Sequence, residues 1–439
     1  MSKVVVVGAG AMGLAAAYHA AKAGHHVTVL EAGPEAGGMA AHFDFAGTSI
    51  ERFYHFVCTP DAPTFALLEE LGLADAMRWR RTTMGLFAGG KLHPWGDPVA
   101  LLRYPGVSLI ARLRYGLLAF VSTRRDRWDA LETQTAREWI TRWAGAEAYA
   151  KLWQPLLHLK FFEYADNVSA AWIWTRVKRL GRSRKSLFEE RLGYIEGGSQ
   201  TLVDRLCERI GELGGAIHLS SPATWIISED GRVTGVQSGE AFFPADAVIS
   251  TVPTPLVPAM VPDLPSELRE RYAAIPNIGV CCLLFKLRRS VTPNFWVNIA
   301  EPGIEVPGII EFTNLRPLPG GRQSCSCPTT CPSPTRNSAG MTTGCSMKRS
   351  VISGALTQPS AKTMSSTVMS PGCAMPSRSA RLGSPRRSHR CRPRSRGCRL
   401  RIPASTIPRT GAFPKACGWP RRWRPRSEPG GLPPGAHIL

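Results

Sequence analysis

The sequence lacks the features that would assign it at once to several common classes of protein. It has no run of about 18 to 20 apolar residues, which a membrane-spanning helix requires. It contains no GxSxG, HExxH or P-loop motif, so nothing indicates acyl transfer, zinc peptidase chemistry or P-loop nucleotide hydrolysis. Four cysteines precede residue 320 without framework spacing, and we interpret them as buried thiols in a reducing compartment: Cys58, Cys207, Cys281 and Cys282.

The last quarter of the chain is poor in acidic and aromatic residues. Residues 324–439 hold 20 lysines and arginines but a single acid, Glu428, and no aromatic residue lies between Ser324 and Ala412. Of the 54 basic and 33 acidic residues in the whole chain, the part before Ser324 therefore holds 34 and 32. The net charge of +21 belongs almost entirely to the tail, so it does not predict a specific nucleic-acid partner for the body.

Such a tail cannot bury enough apolar surface to offset its chain entropy, and we expect residues 323–439 to form a low-complexity, disordered segment. Eight of the twelve cysteines lie in it. The spacing of Cys325, Cys327 and Cys331 matches no zinc-binding pattern, so no metal site is predicted.

A shift of the reading frame explains this composition. When each codon is read from its third letter and free letters are chosen favourably, Ser326 to Arg336 can encode VPYYMPVTHP. Under the same offset, Ala404 to Pro420 can encode IYHPEDRGISESVRLA. We therefore hypothesise a frameshift near Gly320 to Ser324.

The N terminus carries the clearest pattern in the chain. Lys3 to Val7 is an apolar β-type run, which a glycine turn, a helix-like stretch and a second β-type run ending at Glu31 follow. In the turn, Gly8 allows the sharp bend, Gly10 lets the backbone approach a pyrophosphate, and Gly13 lets helix and strand pack closely. The pattern predicts a dinucleotide-binding βαβ unit.

Two further features of this unit narrow the cofactor. The phosphates would lie at the N terminus of the helix, next to Ala11 and Met12, where free N–H groups favour negative charge. Glu31 would accept hydrogen bonds from the adenosine ribose and repel a 2′-phosphate, which favours FAD or NAD over NADP.

The residues after Glu31 carry a resemblance to a known family. The chain continues through a glycine-rich loop to Gly37 and Gly38, and in this it resembles the FAD-binding oxidoreductases of the flavin amine oxidase superfamily, which includes protoporphyrinogen oxidases and carotenoid desaturases. In that family the paired glycines pass close to the flavin, and an arginine commonly follows where this chain has Met39. A second similar segment begins at Tyr194, and the resemblance places Ala223 along the adenine side of FAD.

The resemblance, which covers about the first 320 residues, implies an α/β fold. It predicts a Rossmann-like FAD/NAD(P)-binding domain from residues 1–62 and 192–260, with an inserted α+β substrate domain from residues 63–191 and 261–322. The β-type runs that begin at Val280 and Gly308 would belong to an antiparallel substrate-domain sheet. We expect the tail to cut this sheet off at Gln323.

The resemblance also implies an FAD-dependent oxidoreductase that transfers a hydride from an apolar or amphipathic small molecule to flavin. A defective product unable to retain FAD and a flavin-dependent sugar mutase without net oxidation are alternatives. By family position Arg52, Tyr54 and His55 lie near the flavin, although a packed β-hairpin explains them equally well. Lys160 and Lys286 are weaker candidates, and no catalytic base is assigned.

Three further patterns allow two interpretations each. Tryptophans in the helix-rich region 63–191 predict core, or else the wall of an apolar cavity. Val107 to Val121, with arginines inside and after it, predicts a buried helix with snorkelling arginines, or else a peripheral membrane-surface helix. The basic residues between Arg176 and Lys185 predict a solvated loop, or else a site for an anionic substrate tail.

The first apolar run has no basic flank and leads directly into the phosphate loop, so we expect no signal peptide and a cytoplasmic location. The oligomeric state stays open.

Overall fold

The computed structural model describes residues 1–45, 47–287 and 289–318, and the backbone of three strands beyond them. The strands, in chain order, are β1 (Lys3–Val7), β2 (His26–Leu30), β3 (His42–Asp44), β4 (Ser49–Glu51), β5 (Met77–Thr82), β6 (Met84–Ala88), β7 (Lys91–Trp95), β8 (Arg184–Ser186), β9 (Glu189–Ile195), β10 (Ala216–His218), β11 (Trp225–Glu229), β12 (Arg232–Ser238), β13 (Ala241–Pro244), β14 (Ala247–Ser250), β15 (Asn277–Leu287), β16 (Trp296–Ile299), β17 (Gly308–Ile310), β18 (Gln323–Cys331), β19 (Ser365–Met369) and β20 (Ser405–Thr406).

Most helices of the described residues lie between β7 and β8. The α-helices are α1 (Ala11–Lys22), α2 (Ala62–Glu70), α3 (Pro98–Arg103), α4 (Leu109–Arg124), α5 (Asp129–Glu132), α6 (Ala136–Ala144), α7 (Ala146–Ala148), α8 (Gln154–Phe161), α9 (Ala170–Arg182), α10 (Ser199–Glu212), α11 (Val257–Met260) and α12 (Ser266–Ala273). A π-helical turn (Tyr149–Trp153) connects α7 to α8. Short 3₁₀ turns occupy Gly38–Ala40, Ala74–Ala76, Phe162–Asn167, Thr254–Leu256 and Phe312–Asn314.

A four-stranded parallel sheet carries the N-terminal motif, with the strand order β10-β2-β1-β14. Successive side chains of β1 point into two different hydrophobic cores, because both faces of the strand are covered. Val4 and Val6 pack with α1 and α10, whereas Val5 and Val7 pack toward the antiparallel sheet β11-β12-β13. The predicted α/β fold with a Rossmann-like unit is confirmed.

A second, larger sheet has the order β19-β15-β18-β17-β16-β6-β7, with β20 paired to one end of β15. Strand β15 is buried on both faces: Cys281, Leu283 and Phe285 enter one core, and Cys282 and Leu284 enter another. We expected this sheet to end at Gln323, but β18 begins there and pairs with β15 from Leu287 to Gly279. Apart from β18, β19 and β20, the predicted low-complexity tail lies outside the described residues.

Helices α4, α6, α8 and α9 enclose the largest hydrophobic cluster of the described residues. Trp139 and Trp174 are buried in it, and several other tryptophans pack against it half-buried. The core interpretation of these tryptophans is therefore correct. Within the described residues, no helix is long and apolar enough to cross a membrane.

Candidate cofactor-binding and active site

The glycine turn after β1 has the backbone geometry that its sequence requires. Gly8 has φ +102°, which a residue with a side chain rarely adopts, and its N–H donates to the carbonyl of Leu30 at 2.8 Å. A Cβ on Gly13 would lie 1.9 Å from the carbonyl oxygen of Gly8, so only glycine lets α1 pack this closely against β1. The structure thus assigns different physical reasons to the two glycines.

Gly10 differs from both, because it borders open space. It is the N-cap of α1 in an extended conformation, and a Cβ built on it meets no atom within 4 Å. No side chain caps this helix, and no acidic residue lies in its first turn, which starts at Ala11 and Met12. The first N–H groups of a helix have no intrahelical acceptor, so this end of α1 can receive an anion.

The loop of Gly37 and Gly38 folds back onto this turn. The N–H of Gly37 donates to the carbonyl of Ala9 at 2.7 Å, and a Cβ on Gly38 would lie 3.3 Å from the Cα of Gly10. Both glycines have positive φ values, +109° and +55°. Met39, which follows them, is exposed. The paired glycines therefore line the same opening as Gly10.

Glu31 joins the two loops at the end of β2. Its carboxylate accepts hydrogen bonds from the N–H of Ala9 at 2.7 Å and from the N–H of Gly33 at 2.8 Å. A carboxylate has about four acceptor positions, so two backbone donors leave room for ribose hydroxyls. Sequence reasoning predicted the ribose contact and missed this bracing of the loops.

Ala223 reaches the same edge of the sheet through its neighbours. The N–H of Ser221 donates to the carbonyl of Glu31 at 2.7 Å, and that of Ser220 donates to the carbonyl of Gly33 at 2.8 Å. Ala223 then packs half-buried beside the cluster that contains Val7. The predicted cofactor residues all lie at the carboxyl ends of the parallel strands, the usual ligand edge of such sheets. Their contact with a cofactor stays a prediction.

A buried group of charged side chains, which sequence reasoning missed, lies beyond this loop. Glu51 accepts a hydrogen bond from the N–H of Ser199 at 3.0 Å, and the guanidinium of Arg316 lies 3.5 Å from the same carboxylate oxygen. The imidazole of His42 lies 3.7 Å from it. These residues come from the β3–β4 hairpin, α10 and the turn after β17, so Glu51 connects its own hairpin to two distant segments. No local motif could have signalled the group, because Glu51 and Arg316 lie 265 positions apart.

The candidate residues Arg52, Tyr54 and His55, which follow Glu51 in the chain, lie in different surroundings. The guanidinium of Arg52 lies 2.7 Å from the carboxylate of Glu35 in the glycine-rich loop, and His55 is exposed. The ring of Tyr54 meets that of Trp296 edge to face, with centroids 5.6 Å apart. Both rings pack against a hydrophobic cluster that contains Phe312, and burial raises the pKa of Tyr54.

Lys160 approaches this aromatic pair from α8. Its ammonium nitrogen lies 5.4 Å from the ring centroid of Trp296, within the range of a cation–π contact. Burial lowers the pKa of Lys160 to about 8, and the positive charge of Arg176 acts in the same direction. Lys286 lies on β15 opposite Ser324 of β18. Of the two candidate lysines, Lys160 is therefore the one that the structure places over Trp296, whose ring packs on Tyr54.

The basic residues between Arg176 and Lys185 do not form the solvated loop that we expected. Most of them lie on α9 or β8 and have partners. Lys178 and Arg182 pair with Asp126 at 2.7 and 3.5 Å, and Arg179 donates two hydrogen bonds to Asp61. The guanidinium of Arg176 lies 4.2 Å from the ring centroid of Trp172. Four of the six cations lie within 4 Å of a carboxylate, so much of the cluster is structural.

A cavity of about 390 Å³ lies in the predicted substrate domain, away from the glycine turn. Its lining is mostly apolar but includes Arg184 and Glu190. Burial raises the pKa of Glu190, whereas the hydroxyl of Thr82 donates to it at 2.8 Å and opposes that shift. None of the predicted cofactor residues lines this cavity.

Burial also decides the chemistry of the cysteines. Among the described residues Cys58, Cys281 and Cys282 are buried and Cys207 is half-buried, all as free thiols. Burial raises the pKa of Cys58 to about 12, so its thiol stays protonated and unreactive at neutral pH. No group of three or more potential metal ligands occurs within the described ranges.

Comparison with known proteins places this geometry in a family. A sequence profile described as flavin containing amine oxidoreductase matches residues 13–357. Flavin-containing amine oxidase A of Canis lupus familiaris is 24% identical over 311 residues, which are 65% of this chain and 57% of that protein. The 15-cis-phytoene desaturase of an Oncidium hybrid cultivar is 24% identical over 308 residues, 63% of this chain and 52% of that protein. The matched part thus spans little more than half the length of either relative.

Solved structures show the same fold at low identity. An oxidoreductase from Methanosarcina mazei superimposes with a TM-score of 0.64 at 19% identity, covering 83% of this chain and 87% of that chain. A reduced UDP-galactopyranose mutase superimposes with a TM-score of 0.61 at 16% identity, covering 85% of this chain and 84% of that chain. Because the fold is common to both, it does not by itself distinguish oxidation from a reaction without net oxidation.

Proposed function

Since the chain belongs to the flavin containing amine oxidoreductase family, we propose that it is an FAD-dependent oxidoreductase that takes a hydride from an apolar or amphipathic small molecule. FAD is the cofactor of this family. The observation that carries the proposal is the open space at Gly10, which the uncapped start of α1 and the Gly37–Gly38 loop border.

The residues present fit FAD. An alanine Cβ at Gly10 would fill the space that a pyrophosphate needs, and it would meet no protein atom there. The first N–H groups of α1, from Ala11 to Gly13, would hold the phosphates, and Glu31 would accept from the ribose. Gly37 and Gly38 would border the flavin side, and Ala223 the adenine side. When bound, FAD supplies a ring that accepts a hydride from a C–H or N–H bond.

The chain's own residues would orient the substrate and keep water out. Tyr54 and Trp296 offer an apolar wall, and Lys160 beside them holds an amine that loses its proton near pH 8. A neutral amine can accept a proton from a substrate N–H, whereas a protonated one attracts an anionic group. An aromatic wall next to one polar group suits an amphipathic substrate.

The test uses the absorbance of the purified protein. Bound flavin absorbs at about 450 nm, and an oxidisable substrate bleaches this band in the absence of oxygen. A polyene, a porphyrinogen and a primary amine would be added in turn. Bleaching by one of them supports the oxidoreductase, and colourless protein that binds no added FAD refutes the proposal for this chain. A mutase would leave the band unchanged and turn over UDP-galactopyranose only after chemical reduction of the flavin.

We also propose that the chain after Gln323 is read out of frame, which would favour a defective product. The support comes from β18, which is central in its sheet, between β15 and β17. Its sequence is polar, and Pro328 stands opposite Cys282 without an N–H to donate. Such a conflict between local sequence and position is unusual in a selected protein. Nucleotide sequencing across codons 320 to 324 in independent isolates tests it, and a shared uninterrupted frame would refute it.

A further inference from the structure

Helix α4 exposes an apolar stripe to solvent. Ile110, Leu113, Leu117 and Phe120 are 71, 57, 52 and 55% exposed, and their spacing of three and four residues places them on one face. We expected this helix to be buried, and that interpretation is wrong for this face.

The opposite face of α4 fixes the orientation of the stripe. Ala111 and Leu118 are buried in the helical core, and the indole N–H of Trp174 donates to the carbonyl of Ser122 at 3.1 Å. The helix therefore cannot rotate its apolar stripe inward without breaking these contacts. The exposure is built into the packing of α4 against α9.

Helix α3 enlarges the exposed surface. Its carbonyl at Leu102 accepts a hydrogen bond from the guanidinium of Arg112, which holds α3 beside α4. We call the combined surface the α3–α4 patch, and its apolar members are Val99, Leu102, Leu109, Ile110, Leu113, Leu117 and Phe120. Single exposed apolar side chains are normal, but a contiguous group of this size indicates a contact surface.

The charged residues of the patch itself are of one sign, and the acid that directly precedes it, Asp97, is the N-cap of α3 and accepts from the N–H of Ala100. Residues 98–125 contain five arginines and no acidic residue. Arg103, Arg114 and Arg124 are exposed, and the guanidinium of Arg124 lies 4.9 Å from the ring centroid of Phe120. The acids that flank the segment further along are already paired: Asp126 with Lys178, and Glu147 with Lys151.

We propose that the α3–α4 patch docks on an anionic lipid membrane surface. Apolar side chains with a rim of arginines match acyl chains beneath negatively charged headgroups. A second copy of this chain would place the exposed arginines of one patch against those of the other, so the charge disfavours self-association through this face. At 16 residues α4 is about 24 Å long, so it would lie in the plane of the interface. The docking does not require hydride transfer.

Vesicle flotation of the full-length protein tests this proposal. The vesicles are phosphatidylcholine alone, or equimolar phosphatidylcholine and phosphatidylglycerol, each at low and high salt. We expect binding to the anionic vesicles at low salt, less binding at high salt, and little binding to phosphatidylcholine. The triple variant Ile110→Ser/Leu113→Ser/Leu117→Ser should lower the partition coefficient at least about tenfold. Arg124→Gln should lower it about fivefold.

The matched control is Phe242→Ser/Leu256→Ser, which removes exposed apolar side chains from β13 and the turn before α11. It should leave vesicle binding unchanged. Circular dichroism and melting temperature confirm that each variant is folded. Equal binding of the triple variant and the wild type would overturn the proposal. The proposal would also be overturned if the wild type did not bind anionic vesicles, or if it formed a dimer in size-exclusion chromatography and the triple variant did not. Since flotation needs no flavin, its outcome is independent of the proposed reaction.

Discussion

Gly10→Ala should weaken the binding of FAD and leave the stability of the flavin-free protein nearly unchanged. Alanine adopts the φ of −67° and ψ of 170° found at Gly10 without strain, and its Cβ would meet no protein atom within 4 Å. Alanine restricts the unfolded chain and so raises the free energy of unfolding by about 0.4–1 kcal/mol. This gain is offset by a loss of similar size, because alanine is a poorer N-cap residue than glycine. The free energy of unfolding without FAD should therefore change by less than about 0.5 kcal/mol.

The same methyl group would occupy the space proposed for the pyrophosphate. Overpacking of a close contact costs about 1–3 kcal/mol, so the Kd for FAD should rise about 5- to 150-fold. Gly13→Ala should act differently, because its Cβ would lie 1.9 Å from the carbonyl oxygen of Gly8. That variant should lose about 3 kcal/mol of stability even without FAD.

The assays are thermal unfolding of the flavin-free protein and titration with FAD followed by flavin fluorescence. Gly211→Ala is the matched control, since Gly211 lies in α10 and its Cβ would also meet nothing within 4 Å. It should gain up to about 1 kcal/mol and bind FAD normally. If Gly10→Ala bound FAD as tightly as the wild type, the pyrophosphate could not lie at the start of α1.

Four further substitutions test the remaining interactions. Since the pKa of Lys160 is lowered to about 8, this lysine loses its proton as the pH rises through 8, and the rate of flavin reduction in the wild type should change there. Lys160→Met should abolish that inflection. A variant that keeps the pH profile of the wild type would exclude Lys160 as the group responsible. Asp61→Asn should lower the free energy of unfolding by about 2 kcal/mol, because it removes the buried carboxylate that pairs with the half-buried Arg179. The exposed Asp126→Asn should cost less than about 1 kcal/mol, and equal melting temperatures for the two variants would contradict this reasoning. Hydrogen bonds from Ser108, the N-cap of α4, and from Lys151 lower the pKa of Glu147 to about 2. The contribution of Glu147 to stability is therefore present above about pH 4.5 and is lost as the pH falls toward 2. The denaturant midpoint of Glu147→Gln should lack that decline, and a variant with the pH dependence of the wild type would argue against this reasoning.

The sequence predicts the βαβ unit well, because all of its determinants are local. Gly8, Gly10 and Gly13 each serve a backbone requirement within one turn, and the structure shows a different steric reason for each. The bracing by Glu31 was not predicted, since nothing in the motif says which backbone N–H groups lie within reach of its carboxylate.

The site beyond this unit depends on contacts that pattern reasoning cannot find. Glu51 and Arg316 meet only because β4 and the turn after β17 are brought together by the whole fold. The prediction that α4 is buried is wrong because apolar residues all around a helix indicate burial only when neighbouring elements cover every face. Here α9 covers one face, and the face with Leu113 and Leu117 has no cover among the described residues.

The hydroxyl of Thr251 donates to the carbonyl of Val7 at 2.9 Å and lies 3.3 Å from that of Gly8, just past the strand that completes the parallel sheet beside β1. The glycine turn after β1 is therefore closed by a residue that is synthesised some 240 positions after it. During synthesis β1 must wait for β14, and contacts of such sequence separation make folding slow. Both strands nonetheless precede Gln323, so the parallel sheet can assemble before any part of the tail is translated.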